Sequence, residues 1–186
     1  MESEQILEAQ IRECFGRVVY AHKTHEKMAD LCATTLRRLK LTQIGISALT
    51  SGGALTLVFW DPWGLKLATA LFSIATLWIT GYMKGFDPGG TAQKHRDAAA
   101  TLWDIRESYL SLLTNLKSRL VDLPTAALRR DELQSLLAKI YKGVPQTTDK
   151  AYQKAQKALK ELEDYTFSDS EIDRFLPQAL RKQQAA

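Results

Sequence analysis

Hydrophobic and polar positions divide this chain into three unlike stretches. From Ser3 to Lys40, apolar or small residues recur at Ile11, Cys14, Val18, Ala21, His25, Met28, Cys32, Thr35 and Leu39, with spacings that alternate between three and four. This is one face of a long helix with coiled-coil character, in which His25 is a polar specifier within the seam. Charge then nearly vanishes: between Leu41 and Met83 the only charged side chains are Asp61 and Lys66. The run "LTQIGISALTSGGALTLVFW", residues 41–60, spans about 30 Å as a helix, enough to cross a bilayer. After "DPWG" a second apolar run, "LKLATALFSIATLWITGYM", covers residues 65–83. The pair predicts a transmembrane hairpin; the competing reading, a soluble hairpin buried in a bundle, draws on the hydroxyl and glycine content of both runs.

The third stretch returns to helical periodicity. "DPGG" at residues 87–90 is a turn cluster, and Thr91 is the expected N-cap of a helix that runs to about Asp122. Its seam is Ala98, Leu102, Ile105, Tyr109, Leu112 and Leu116, which suits packing against the first long helix. Pro124 fits the first turn of a helix ending near Tyr141, a further helix covers about Thr148–Asp164, and Ser168 with Glu171 has capping-box spacing for a last helix that Pro177 ends or kinks. No strand alternation or internal repeat is visible. The expected fold is an all-α membrane protein: a two-transmembrane helical hairpin with long cytoplasmic helices packed as a stalk or bundle. Its regions are 1–40, 41–83 and 84–186.

Charge orients this hairpin. The chain has 186 residues, 25% of them charged, a formal net charge of +4 and a mean hydropathy of -0.22. Arg37, Arg38 and Lys40 precede the first span and Lys84, Lys94 and Arg96 follow the second, whereas the connection carries one charge of each sign. The positive-inside rule therefore places both termini in the cytoplasm. Trp60 and Trp63 at the turn, Tyr82 near the exit, and Lys66 and Lys84 with their snorkelling stems are interface anchors. "MESEQILEAQ" lacks the basic start and apolar core of a secretory signal, so the first span is expected to direct insertion. Cys14 and Cys32 on one helix stand about 27 Å apart, too far to bridge, and are expected to remain thiols.

Candidate chemistry adds little. In "YAHKTHEKMAD", His22, His25 and Glu26 fit neither zincin order, and His95, Cys14 and Cys32 are too few to complete a convincing metal site. No phosphate-binding glycine loop, nucleophile elbow or Cys-x-x-Cys is present, and the acidic residues Asp131, Glu132, Glu161, Glu163 and Asp164 read as surface charge. No enzyme, metal or cofactor is expected. Thr69, Ser73, Thr76 and Thr80 form a hydroxyl stripe along the second span, either lining a water-filled pore or bonding within the helix and across to its neighbour, the commoner use. Gly45, Ala48 and Gly52 share a face of the first span, with Gly53 adjacent, permitting close helix pairing within or between chains. Lys150, Lys154 and Lys157 form a basic face that could dock an anion or simply be solvated.

The long helix bearing "YAHKTHEK", the two spans with their tight turn and the segment "IYKGVPQTTDKAYQKAQKAL" together resemble the SLATT family of SMODS- and SLOG-associating two-transmembrane effectors. The likeness runs from about Ile11 to Leu162, and its motif residues are Tyr20, His22, His25, Glu26, Pro145 and Tyr152. The resemblance implies an effector of a bacterial anti-phage, abortive-infection system in the inner membrane, which contacts lipid and forms homo-oligomers that open a pore or disrupt the membrane. It further implies a stand-alone member without a fused sensor, triggered by a separate nucleotide synthase, sensor or reverse transcriptase. The alternative is a non-conducting tether or scaffold that recruits a cytoplasmic partner such as a polymerase.

Overall fold

A computed structural model describes residues 2–182; Met1 and residues 183–186, the ends of the two regions expected to flank the spans, lie outside the described residues. The first helix, α1, runs unbroken from Glu2 to Phe59, 58 residues, or about 87 Å. The expected first helix and first span are thus one rod. After a short turn at residues 60–62, α2 covers Trp63–Phe86 and α3 covers Pro88–Lys117, separated only by Asp87. The remaining helices are α4 (Leu123–Gly143), α5 (Asp149–Lys160) and α6 (Asp169–Phe175), followed by a 3-10 turn at Gln178–Leu180. No strand occurs among the described residues.

Side chains at the joints account for these boundaries. Asp87, not Thr91, caps α3: it ends α2 in the left-handed region (φ 37°) and its carboxylate accepts from the Gly90 N–H. Pro88 then occupies the first helical position, where its missing N–H costs nothing. The helix stops at Lys117, short of the expected Asp122: Ser118 is its C-cap, Arg119 turns left-handed (φ 56°), and Asp122 is the N-cap of α4, accepting from the Thr125 N–H with Pro124 in the first turn. Thr148 caps α5 and Ser168 with Glu171 forms a full capping box on α6, which ends before Pro177.

The α1 rod and the α2–α3 rod form one antiparallel pair whose register stays nearly constant along its length. Gly53 meets Thr69, the Gln43 amide donates to Thr80 at 2.9 Å, and His25 meets His95. At one end, Leu7, Ile11, Cys14 and Val18 of α1 pack with Leu102, Ile105, Tyr109, Leu112 and Leu116 of α3 and with Ala126 and Leu133 of α4. Burial of this apolar surface drives the bundle at roughly 25 cal/mol per Å². Ala151, Ala155 and Ala158 bury the small face of α5, which contacts α1. The other end is unlike the bundle. Both apolar stretches are long enough to cross a membrane, and no part of either is buried within the chain, so neither is the core of this chain's own bundle.

Candidate functional site

Below the apolar hairpin, the "HKTH" turn of α1 is buried on every side. His22, Lys23, Thr24 and His25 are all at most 6% exposed, which a single helix face cannot achieve. Three neighbours enclose this stretch of α1: α3, α5 and the segment that follows α5.

That segment departs from the expected helix. α5 ends at Lys160 rather than near Asp164, with Leu162 N–H and Asp164 N–H bonded back to Lys157 and Ala158 carbonyls. Glu161, Glu163 and Asp164 crowd acid at a helix C-terminus, where the macrodipole disfavours it. Glu163 (φ 52°) and Tyr165 (φ 72°) are both left-handed and neither is glycine, a conformation held by the contacts that follow. Asp164, expected on a solvated surface, instead lies 2.8 Å from the buried Lys23 ammonium.

The Tyr165 hydroxyl is the hub of the cluster. It donates to Glu26 Oε2 at 2.5 Å, lies 2.9 Å from His22 Nε2 and accepts from Lys23 Nζ at 3.2 Å. His22 Nδ1 faces the Ala99 carbonyl at 2.8 Å, so this nitrogen must carry hydrogen and donate. A neutral His22 then presents Nε2 as an acceptor, and the single Tyr165 hydrogen is shared between that nitrogen and Glu26. Lys23 also donates to Glu26 at 2.9 Å. Arg106 stacks at 4.5 Å from the Trp103 ring centroid and 5.4 Å from that of Tyr165, using the planarity of its guanidinium. Helices α1 and α3 and the post-α5 segment are thereby clasped together.

Electrostatics follow from these contacts. Burial opposes the Lys23 charge, yet hydrogen bonds to Asp164, Glu26 and Tyr165 outweigh it and hold the pKa above the ordinary lysine value. Burial likewise raises Glu26, but hydrogen bonds from Tyr165 and Lys23 bring it below the usual carboxylate range. Burial and the Glu26 carboxylate push the Tyr165 phenol up to about 12. One turn away, His25 Nδ1 lies 2.9 Å from His95 Nδ1. Burial first, then His95 and His22, push His25 down to about 4, and burial lowers His95 as well. A neutral pair can share one N–H between the facing nitrogens.

Two clefts flank this turn. The larger, about 890 Å³, brings Tyr20 and His25 together with Tyr141, Pro145 and Tyr152; the Tyr20 and Tyr152 rings lie 6.1 Å apart. The smaller, about 790 Å³, is lined by His22, Lys23, Glu26, Arg96, Trp103 and Tyr165, among others. Thus Tyr20, His22, His25, Glu26, Pro145 and Tyr152 converge on one level of the bundle, although two distant segments supply them. His95, Trp103, Arg106, Asp164 and Tyr165 complete that level without a sequence signal. Among the described residues no group of three or more His, Cys, Asp or Glu side chains is disposed to hold a metal ion.

Residues 7–171 match the SMODS and SLOG-associating 2TM effector domain family 4. The chain belongs to this family. It is a membrane protein of a two-transmembrane effector class associated with SMODS and SLOG defence systems. No curated protein and no solved structure matches it.

The remaining candidates of this family member lie outside the clasp. Thr69 sits against Gly53, where an added Cβ would stand 2.6 Å from its hydroxyl oxygen. Ser73, Thr76 and Thr80 donate to the carbonyls four residues earlier, and Thr80 also accepts from Gln43. Of the small residues, Gly53 faces α2, whereas Gly45 and Gly52 open to empty space and Ala48 is exposed. Trp60 and Trp63 are exposed at the hairpin turn, where Lys66 pairs with Asp61 at 2.6 Å; Tyr82 stacks on Phe86, and Lys84 is exposed. Lys150, Lys154 and Lys157 are exposed on α5, with Lys157 3.9 Å from Glu161.

Proposed function

We propose that this effector acts in the bacterial inner membrane with both termini cytoplasmic, stopping an infected cell when its hairpins assemble and open a pore or otherwise disrupt the bilayer. A separate sensor, nucleotide synthase or reverse transcriptase supplies the trigger. The carrying observation is mechanical: two apolar helices that pair with each other, and of which no part is buried within the chain, continue into the helical bundle through the same two rods. A shift of α1 against α3 at the clasp therefore displaces the first span against the second, a two-state change of the shear kind. The exposed Gly45, Ala48 and Gly52 face suits close contact between copies. In the opened assembly Thr69, Ser73, Thr76 and Thr80 would exchange their present partners for water. Trp60, Trp63, Lys66, Tyr82 and Lys84 would hold the hairpin at the two interfaces.

The test is membrane potential in bacterial cells during forced expression, where mass action favours assembly. Depolarisation by the wild type, lost in the Ser73→Leu, Thr76→Leu variant that still inserts, is expected. The use of Thr69 and Thr80 within the hairpin favours the alternative, a non-conducting tether. Unchanged potential with the protein and its trigger system both present in the cell would select that reading.

A further inference from the structure

The membrane end of the bundle carries a second feature, a ring of unpaired cations. The Gln43–Thr80 hydrogen bond fixes which residues of the two rods lie level. One helical turn from each toward the bundle reaches Leu39 on α1 and Lys84 on α2. Arg37, Arg38 and Lys40 surround Leu39 within about 5 Å along the axis, and all three, with Lys84, are exposed. None of the four is ion-paired among the described residues. The carboxylate at this level, Asp87, is engaged at the start of α3, accepting from Gly90 N–H at 3.0 Å. From Leu31 to Phe86 the one acidic residue is Asp61, at the far end of the hairpin and paired with Lys66.

We propose that Arg37, Arg38, Lys40 and Lys84, spread around the hairpin at one level, bind the headgroups of anionic phospholipids. The position of the charge selects this ligand over a soluble polyanion. Leu41 follows Lys40 directly and is 59% exposed, as is Ile44 at 66%, so the cations stand where the apolar surface begins. A molecule that satisfies both surfaces carries a phosphate joined to hydrocarbon. Guanidinium forks donate paired N–H bonds to phosphate oxygens, and the two lysines add compact charges on flexible stems. Juxtamembrane cations of this kind attract anionic lipid through the surface potential and direct contact. This assignment rests on the membrane part of the proposed function and is independent of any conductance.

Trp78, 76% exposed, lies six residues before Lys84, about 9 Å from the ring along α2, and reports on the acyl chains beside it. The full chain carrying Trp60→Phe and Trp63→Phe would be reconstituted into vesicles of phosphatidylcholine and phosphatidylglycerol, with bromine on the chains of one lipid at a time. Trp103, in the bundle, adds a constant unquenched emission, and the quenched fraction, from Trp78, gives the relative affinity. A preference of about fivefold or more for phosphatidylglycerol at low salt is expected, the factor one contact of about 1 kcal/mol provides. It should fall toward one in R37Q/R38Q/K40Q/K84Q and survive in R37K/R38K. Helicity by circular dichroism checks the fourfold variant; should it misfold, Lys40→Gln and Lys84→Gln singly should each lower the preference. Equal quenching by both lipids in the parent, or an undiminished preference in folded variants, overturns the site. A preference abolished by inorganic phosphate but not by chloride of equal ionic strength makes a soluble phosphate the ligand and also overturns it. Absence of quenching by either lipid would instead refute membrane insertion itself.

Discussion

The Tyr165 hydroxyl stands 2.9 Å from His22 Nε2 across a separation of 143 residues, joining the segment after α5 to the rod that leads into the first apolar helix. Because His22 also bonds the Ala99 carbonyl, that contact ties three parts of the chain at one level. Removing the hydroxyl leaves His22 Nε2 without its hydrogen-bond partner and takes one bond each from Glu26 and Lys23. Tyr165→Phe is expected to destabilise the bundle by about 1–3 kcal/mol, the cost of buried partners left unsatisfied. Limited proteolysis should show residues 161–182 cut first, and equal protection in the variant would contradict the hub role.

Lys23→Met tests the ionic half of the clasp. It removes the ammonium and leaves Glu26 and Asp164 close together. Both carboxylates keep partial access to water, so the loss is expected near 1–2 kcal/mol, below that of a fully buried pair. Hydrogen exchange at residues 161–167 should rise more than exchange in α3. A uniform rise would place the effect in the core and not at the clasp.

The His25–His95 pair makes stability depend on pH. Below its ordinary value of 6.5 the unfolded chain protonates His25, whereas the folded chain resists until about 4. The unfolded state therefore binds more protons across that window, and stability falls as pH falls through it. His95, lowered by burial, adds in the same direction. Glu26 and Asp164, both held below the carboxylate range, lose their contributions at lower pH still. Denaturant midpoints between pH 7 and pH 5 should decline in the wild type and flatten in a His25→Leu, His95→Leu variant, whatever its absolute stability.

Glycines within about two turns of one another in α1 should behave oppositely. At Gly53 an added methyl meets Thr69 Oγ1 at 2.6 Å, so Gly53→Ala requires the Thr69 hydroxyl to rotate away or the two helices to separate, and is expected to cost about 1–3 kcal/mol. Thr69→Ala should relieve most of it in a double-mutant cycle. At Gly52 and Gly45 nothing stands within 4 Å, and alanine there should be neutral or stabilising by up to about 1 kcal/mol. If either exposed substitution impairs assembly while leaving the isolated hairpin intact, the outward face is the contact between copies.

Arg106→Lys keeps the charge but loses the planar stack on Trp103 and Tyr165. A loss of about 0.5–1 kcal/mol is expected. Near-ultraviolet circular dichroism from Trp103 should change with it.

Much of this architecture is local and therefore legible along the chain. The seam of α3 from Ala98 to Leu116 is buried as its three-four spacing requires, because helical periodicity decides which side chains share a face. Charge depletion between Leu41 and Met83 marks the two apolar helices for the same reason: composition alone sets whether a helix face can remain in water. Caps at Thr148 and Ser168 follow from side chains that reach only three residues. Local rules failed at two helix ends: α3 closes early through the left-handed Arg119, a non-glycine residue, and Asp87 caps it in place of Thr91.

What only the tertiary structure decided is which distant residues meet. Tyr165 belongs to no periodic face, and its left-handed backbone becomes affordable through contacts with His22, Lys23 and Glu26 that lie beyond any local pattern. His25 shows a seam position in the sequence, but only the antiparallel register of two long rods sets His95 opposite it. Periodicity fixes direction around a helix axis and composition fixes its surroundings. Neither fixes the partner, because pairing depends on the summed packing of all elements and is settled when they assemble.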